Sequence, residues 1–266
     1  RSDANAFTQP MLDCVGRKVG HRIECDVYPG ATRDDLREFG KKLRAGEFHV
    51  GVVWGIEYGW LGGDSSDLKI LAVVSVVGNE TISRTVVLVR KDSGITRLAD
   101  LKGKRLAGYK DFPLMDRVFL NKMLRDEKLD PKDFFGKGET FGSLKAAAFA
   151  VKDGKAADCV VMSNVSFARL KRVTRLDEAL VELKAGEVYP LPVLIGSPDA
   201  VNRLGKKKGL WDELQKQFLA AHRTPEGAEC MNFWRVQSFV AADADFRRRV
   251  RAATDKVPAD ALLNLD

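Results

Sequence analysis

The chain has few of the residues and none of the motifs that mark common catalytic sites. Three histidines, His21, His49 and His222, are present, and none has a second histidine or a cysteine at metal-ligand spacing. There is no G-x-S-x-G elbow, no Walker G-x-x-x-x-G-K-[ST], no G-x-G-x-x-G after a strand and no H-E-x-x-H. We therefore expect a protein that is not an enzyme and that carries no metal and no cofactor.

Cysteine is also scarce. The four cysteines, Cys14, Cys25, Cys159 and Cys230, include no C-x-x-C pair, which argues against a structural zinc site. Cys159 falls in a strand-like run, where a reduced, buried thiol is expected. Cys14 and Cys25 can form a disulfide if the first helix packs against the segment that follows it. Two disulfides are arithmetically allowed, so the redox compartment stays open.

Long hydrophobic runs are missing. No run approaches the ~18 consecutive apolar residues that span a bilayer, and no basic segment followed by an apolar stretch opens the chain. We expect a soluble chain without direct membrane insertion, whose export signal was removed or never present. The 266 residues are 45% hydrophobic, which is enough for a substantial core in one large domain or two ordinary ones.

The charge is positive but mixed. A net charge of +7 favours anionic partners, although the 37 acidic residues are interspersed among the 44 basic ones. The densest basic clusters, at 206–208 and 247–249, have no interleaved aromatic residues. These clusters are therefore interpreted as solvated faces, and we expect no nucleic-acid partner.

Strand-like and helix-like segments alternate along the chain. The first part reads as helix Phe7–Val19, strand Arg22–Tyr28, helix Thr32–Arg44 capped by Thr32 and ended by Gly46, and strands Phe48–Trp54 and Leu68–Val77. The middle part repeats the pattern, with strands at 105–108, 140 and 158–162 and helices at 113–124, 143–152 and 165–171. The last part reads as helices at 199–221 and 225–233, a strand at 236–241 and a helix at 244–254. Alternation of this kind predicts mainly parallel sheets flanked by helices.

Two extended passages divide this pattern into lobes. Val86–Val89 leads out of the first lobe, and the proline-punctuated run Pro190–Ile195 leads back. We therefore predict a first lobe of residues 1–86 and 192–266 and a second of residues 87–191, with the two crossing strands as hinge. A cleft between two lobes is where a ligand would sit.

Four runs of the chain together carry a resemblance to a known family. The runs are R-K-D-S-G-I-T-R-L-A-D-L-K-G-K-R-L-A (Arg90 to Ala107), L-D-P-K-D-F-F (Leu129 to Phe135), the stretch from Gly142 to Asn164, and E-F-H-V-G-V-V-W-G-I-E-Y (Glu47 to Tyr58). They resemble the periplasmic solute-binding proteins of phosphonate/phosphate/phosphite ABC transporters. The last run holds a tyrosine, Tyr58, that matches the family's. The resemblance covers most of the chain.

This resemblance implies a fold and a function. The implied fold is α/β, a two-lobed type II periplasmic binding protein whose lobes close by hinge motion around a small anion held at helix N-termini. The implied protein is a periplasmic monomer that delivers a phosphonate- or phosphate-type solute to an ABC permease. The family begins with a strand, which we expect to precede Arg1.

The chain departs from the family at two places. A hydroxyl-rich S-T-S-G turn is replaced by Pro113-Leu114-Met115-Asp116, and a histidine by Leu144. A cleft without these groups suits a different or more apolar ligand, which is one alternative. Two others are a sensor domain of the same fold in a signalling protein and an enzyme on the same architecture.

Candidate ligand-binding residues follow from position. Trp54 and Tyr58 end a strand at its carboxyl edge, where open α/β sheets place ligands, with aromatic packing as the structural alternative. Arg84 precedes the first crossing strand and could pair with an anion, or simply face solvent. The remaining candidates follow strands or open helices of the second lobe, where each could equally be a cap. They are Tyr109, Lys110, Ser143, Ser163 and Asn164.

Overall fold

A computed structural model describes residues 3–25, 32–109, 114–205 and 209–257. It contains two compact units: unit 1 holds the described residues of 1–82 and 189–257, and unit 2 is Ser83–Val188. These divisions fall a few residues before the predicted boundaries after residues 86 and 191. None of the helices in the described ranges is both long and apolar enough to cross a membrane.

Unit 1 contains one sheet and the helices around it. Its strands are β1 Val50–Val53, β2 Lys69–Ser75, β8 Val193–Gly196 and β9 Ser238–Val240. Its helices are α1 Asp3–Val19, α2 Arg33–Ala45, α3 Gly55–Trp60, α7 Pro198–Leu204, α8 Leu210–Ala220, α9 Pro225–Trp234 and α10 Ala244–Lys256.

Unit 2 likewise contains one sheet with helices around it. Its strands are β3 Ile82–Arg90, β4 Leu106–Tyr109, β5 Thr140–Phe141, β6 Cys159–Ser163 and β7 Leu180–Pro190. Its helices are α4 Leu114–Asp126, α5 Leu144–Asp153 and α6 Asn164–Thr174. The chain passes from unit 1 to unit 2 in β3 and returns in β7. The predicted return passage, Pro190–Ile195, thus falls in two strands, since it contains the last residue of β7 and most of β8.

The prediction of mainly parallel sheets is wrong for unit 1. Its strand order is β1-β8-β2-β9, and every pair in that order is antiparallel. Val193 of β8 lies opposite both Val53 and Val73. Helical crossovers do leave β1 and β2 pointing the same way, but β8 enters between them from the returning chain and runs in the opposite direction. Alternation along the sequence cannot reveal that insertion.

Both faces of the unit 1 sheet are covered. On one face of β2, Leu71 packs in a core shared with α1, α8 and α9. On the other face, Ile70 and Val73 pack in a core shared with α2, α3 and α10. Successive side chains of a strand face opposite sides, so a strand covered on both faces is apolar throughout. This is why β2 reads as a continuous apolar run.

Helix α2 has the ends that its sequence predicts. Thr32 Oγ1 accepts the Asp35 N–H at 3.2 Å, and the Asp35 carboxylate accepts the Thr32 N–H at 3.1 Å, which completes a capping box. Gly46 ends the helix with φ 80°. A residue with a Cβ is strained at that angle, so the glycine is required by the turn.

The strand predicted at Arg22–Tyr28 is wrong in its described part. Residues 22–25 are not in a strand, and residues 26–28 lie outside the described ranges. The Gln9 side chain of α1 donates to the Ile23 carbonyl at 2.6 Å and accepts the Cys25 N–H at 2.9 Å. These backbone groups are therefore satisfied by a helix side chain and not by a neighbouring strand.

Unit 2 has a mixed sheet with the order β5-β4-β6-β3-β7. β4 is parallel to β5 and to β6, as predicted, but β3 is antiparallel to β6. Along β3, Val86 and Leu88 face a core shared with α5 and α6, while Val87 and Val89 face a core shared with α4. The crossing strand is therefore buried on both faces within unit 2.

An ion pair joins the starts of β4 and β6, and it supplies the first prediction. Arg105 donates from Nε and Nη2 to the two carboxylate oxygens of Asp158, at 3.0 and 2.9 Å. Hydrogen bonds from Arg105 lower the pKa of Asp158. Because the folded pKa is depressed, the stabilisation is present above the unfolded pKa of ~3.9 and is lost as the pH falls through the folded value.

We expect Asp158→Asn to lower the free energy of unfolding by about 1 kcal/mol at pH 7, since the pair is partly solvated. The gap between variant and wild type should shrink as the pH falls below ~3.9. Urea unfolding at pH 7 and pH 3 measures both values. Asp153→Asn, an exposed change of the same charge, is the control. A loss of equal size at both pH values would contradict this account.

Candidate functional site

Most of the predicted site residues of unit 2 lie along one edge of its sheet. β4, β5 and β6 end at this edge because they are parallel, and β3 begins there because Thr85 lies opposite Ser163. Helices α5 and α6 start from the same edge. The structure thus brings together the predicted residues Arg84, Tyr109, Ser143, Ser163 and Asn164. Lys110, also predicted, lies outside the described residues.

Asn164 ties the start of α6 to the start of β3. Its Oδ1 accepts the Ser83 hydroxyl at 2.9 Å and the Arg84 N–H at 3.0 Å. The sequence placed Arg84 before the crossing strand, but β3 begins at Ile82 and therefore contains Arg84. The Arg84 guanidinium is partly exposed, with Nη2 3.6 Å from the Glu182 carboxylate. The backbone of Arg84 is held in place while its charge stays near solvent.

The two serines cap helices. Ser163 Oγ accepts the Ser166 N–H at 3.1 Å, and Ser143 Oγ accepts the Ala146 N–H at 3.2 Å. Each cap satisfies one of the amide groups that the first turn of a helix leaves without an intrahelical acceptor. The positive end of each helix dipole therefore lies at this edge.

A buried carboxyl group lies at the same edge. Asp116, in the first turn of α4, is 1% exposed, and its Oδ1 accepts the Thr85 hydroxyl at 3.0 Å. Tyr109 is near enough that burial and the Asp116 charge raise the pKa of its phenol. Sequence reasoning singled out Asp116 as a departure but missed Thr85 and Ser83, which read as interior strand positions. The edge thus combines the positive ends of two helix dipoles with a buried carboxyl group.

In unit 1, Trp54 lies where β1 ends and α3 begins. The backbone N–H of Trp54 donates to the Glu57 carboxylate at 2.7 Å. The Trp54 ring meets the Tyr189 ring edge-on, with centroids 6.1 Å apart. Burial raises the pKa of Glu57 and this hydrogen bond opposes the rise. Glu57 was not predicted, although a glutamate three residues after a cap position is a recognisable capping signal.

The sequence predicted Tyr58 at the end of a strand, but the residue lies in α3. It is 1% exposed, and its hydroxyl donates to Asp64 Oδ1 at 3.2 Å and lies 3.4 Å from the Leu68 carbonyl. Asp64 in turn binds Arg247 and Arg251 of α10. Burial and the Asp64 charge raise the pKa of Tyr58. The position is that of a core residue that links α3 to α10.

Among the described residues, no group of three or more histidine, cysteine, aspartate or glutamate side chains is placed to hold a metal ion. The edge of unit 2 offers amide, hydroxyl and guanidinium donors, which bind oxyanions directly.

Comparisons with known proteins agree on family and fold. A family model described as "ABC transporter, phosphonate, periplasmic substrate-binding protein" matches residues 1–246. No curated protein matches the chain in sequence. The resemblance predicted from the sequence is therefore confirmed by the family match.

Solved structures share the fold at low identity. XAC2383 from Xanthomonas citri, bound to chloride, is 19% identical with a TM-score of 0.65, covering 99% of this chain and 95% of that one. A binding protein of an ABC phosphonate transporter from Pseudomonas aeruginosa is 15% identical with a TM-score of 0.61, covering 98% and 84%. PhnD1 from Prochlorococcus marinus, in complex with methylphosphonate, is 13% identical with a TM-score of 0.61, covering 96% and 93%. The predicted type II periplasmic binding protein fold is confirmed.

The second prediction concerns the role of Tyr58. Tyr58→Phe removes a buried hydroxyl and leaves Asp64 bound to two arginines, so we expect the free energy of unfolding to fall by about 1 kcal/mol. Ligand affinity should not change, because the hydroxyl is used within the core. Denaturant unfolding and calorimetric titration measure the two quantities. Weaker ligand binding with unchanged stability would contradict this prediction and indicate that Tyr58 contacts the ligand.

Proposed function

Because the chain belongs to the periplasmic substrate-binding proteins of phosphonate ABC transporters, we propose that it binds a small oxyanion of the phosphonate or phosphate type. It works outside the cytoplasm, as a monomer, and delivers its ligand unchanged to an ABC permease. The family match over residues 1–246 carries this proposal.

The edge of unit 2 supplies the physical support. α5 and α6 are 10 and 11 residues long, and the positive ends of their dipoles lie at this edge. First-turn amides and the Arg84 guanidinium are suited to phosphoryl oxygens. The net charge of +7 favours the approach of an anion.

Asp116 favours a second candidate, a ligand other than a simple phosphonate. The family's hydroxyl turn corresponds here to residues 113–116, and Asp116 places a buried carboxyl group beside Tyr109. A carboxylate at that point repels a dianion but accepts a hydrogen bond from a hydroxyl or ammonium group of a ligand. Met115 is fully buried and supplies no donor. A ligand with its own donor, or a more apolar carboxylate, would suit this edge.

A thermal-shift panel separates the two candidates. The panel contains methylphosphonate, phosphate, phosphite, sulfate, ATP and an apolar carboxylate. A ligand at 100 times its Kd stabilises the folded state by ~2.7 kcal/mol, a shift of several degrees in Tm. A shift with phosphonates supports the first candidate, and a shift with the carboxylate alone supports the second. Ligand recovered chemically altered would overturn the non-catalytic role.

The third prediction tests Arg84. Because charged hydrogen bonds contribute about 1.5–3 kcal/mol, we expect Arg84→Gln to raise the Kd for the oxyanion found in the panel by roughly 10- to 100-fold. Its Tm should hardly change, since the pair with Glu182 is exposed. Arg97→Gln, at an exposed position in the segment that follows β3, makes the same charge change and should leave the Kd as it is. Equal affinities in wild type and Arg84→Gln would remove Arg84 from the site.

The fourth prediction tests Asp116. Asn still accepts the Thr85 hydroxyl but carries no charge, so Asp116→Asn should lower the Kd for methylphosphonate by about 3- to 10-fold. Isothermal titration calorimetry at low and high salt measures the change. Weaker binding of the ligand would instead mean that the carboxylate accepts a hydrogen bond from it, as the second candidate requires.

A further inference from the structure

Two cysteines that are distant in sequence are held by one face of α1. The Cys25 thiol lies 3.6 Å from Asn5 Oδ1, and the Cys25 N–H donates to Gln9 Oε1 at 2.9 Å. Cys230 lies on α9, where Trp234, one helical turn further along, donates from Nε1 to Thr8 Oγ1 at 2.9 Å. Residues 5, 8 and 9 are neighbours on one face of a helix, because positions three and four apart are adjacent there.

The two cysteines also share one core. Cys230 is 2% exposed and belongs to the core cluster formed by α1, α8 and α9, and Cys25 packs against that cluster. Burial raises the pKa of Cys230, and the charge of Cys25 adds to the rise. The contacts to α1 and the shared core cluster favour this pair.

The other two cysteines are placed differently. Cys159 is fully buried in unit 2, with its thiol 3.8 Å from the Arg105 carbonyl. Cys14 is buried on α1, five residues after Gln9 and thus not on the face that holds Cys25. All four cysteines are described, and no disulfide joins any of them in the structure. The sequence suggested Cys14 as the partner of Cys25, but the structure favours a different partner.

We propose that Cys25 and Cys230 form a disulfide bond when the protein is exported. The inference rests on the extracytoplasmic location in the proposed function, since that compartment is oxidising. The oxidant is the disulfide of a thiol–disulfide oxidoreductase. The thiolate of Cys25, the more exposed of the two, attacks it to give a mixed disulfide, and the Cys230 thiolate then displaces the enzyme. Two thiols lose two protons and two electrons, and the oxidoreductase is released as a dithiol.

The bond would anchor the segment after α1. Residues 22–25 have no strand partner in the structure and are held by side chains of α1. A covalent link from Cys25 to α9 fixes this segment to the core and closes a loop of most of the chain, which restricts the unfolded state.

The test is a thiol count on the full chain exported to a bacterial periplasm. Alkylation after denaturation should label two of the four cysteines, and non-reducing peptide mass spectrometry should find the peptide of Cys25 linked to that of Cys230. A reducing agent should lower the Tm of the wild type. Cys14→Ser should keep both the link and the response to the reducing agent, whereas Cys25→Ser should lose both.

Four labelled thiols in the exported, folded wild type would overturn the inference, and so would a link between Cys14 and Cys25. The wild-type count decides the matter even where a variant fails to fold. Its outcome is separate from that of the ligand panel. A reduced protein that binds an oxyanion overturns only the disulfide, and a disulfide-bonded protein that binds no oxyanion overturns only the proposed function.

Discussion

The register of β3 against β6 is the constraint on which the candidate site depends. Thr85 lies opposite Ser163, and from there the pairing continues to Val89 opposite Cys159. A slip of one residue would turn every side chain of β3 to the other face and exchange the side chains that fill the two cores. The same register places Arg84 beside Asn164 and Thr85 beside Asp116. Core packing and site geometry therefore have one origin.

The edge that results carries charges of both signs. Helix dipoles and a guanidinium favour an anion, while the buried Asp116 opposes one. In a binding protein, such a mixture gives selectivity more readily than affinity, because a wrong ligand is rejected by the group it leaves unpaired. In the proposed function, Asp116 and its neighbours therefore distinguish between ligands that family membership alone does not.

Much of the fold could be predicted from local signals. The Thr32 cap, the Gly46 stop and the caps Ser143 and Ser163 lie where the sequence indicates, because capping depends on residues only three or four positions apart. The five predicted residues at the unit 2 edge also come together, since parallel strands end at the same side of a sheet. Tyr58 shows the limit: one turn of α3 carries it from the strand end into the core.

By itself, the sequence determined the alternation of elements, their caps, the family and the passages that join the two units, because each of these is recorded in short runs of residues. Only the tertiary structure decided that β8 inserts antiparallel between β1 and β2, and that Asp116 accepts a hydrogen bond from Thr85. It also decided that Cys25 and Cys230 pack against one core cluster. These contacts join residues far apart in the chain. They follow from how hydrophobic faces are buried together, which no local pattern specifies.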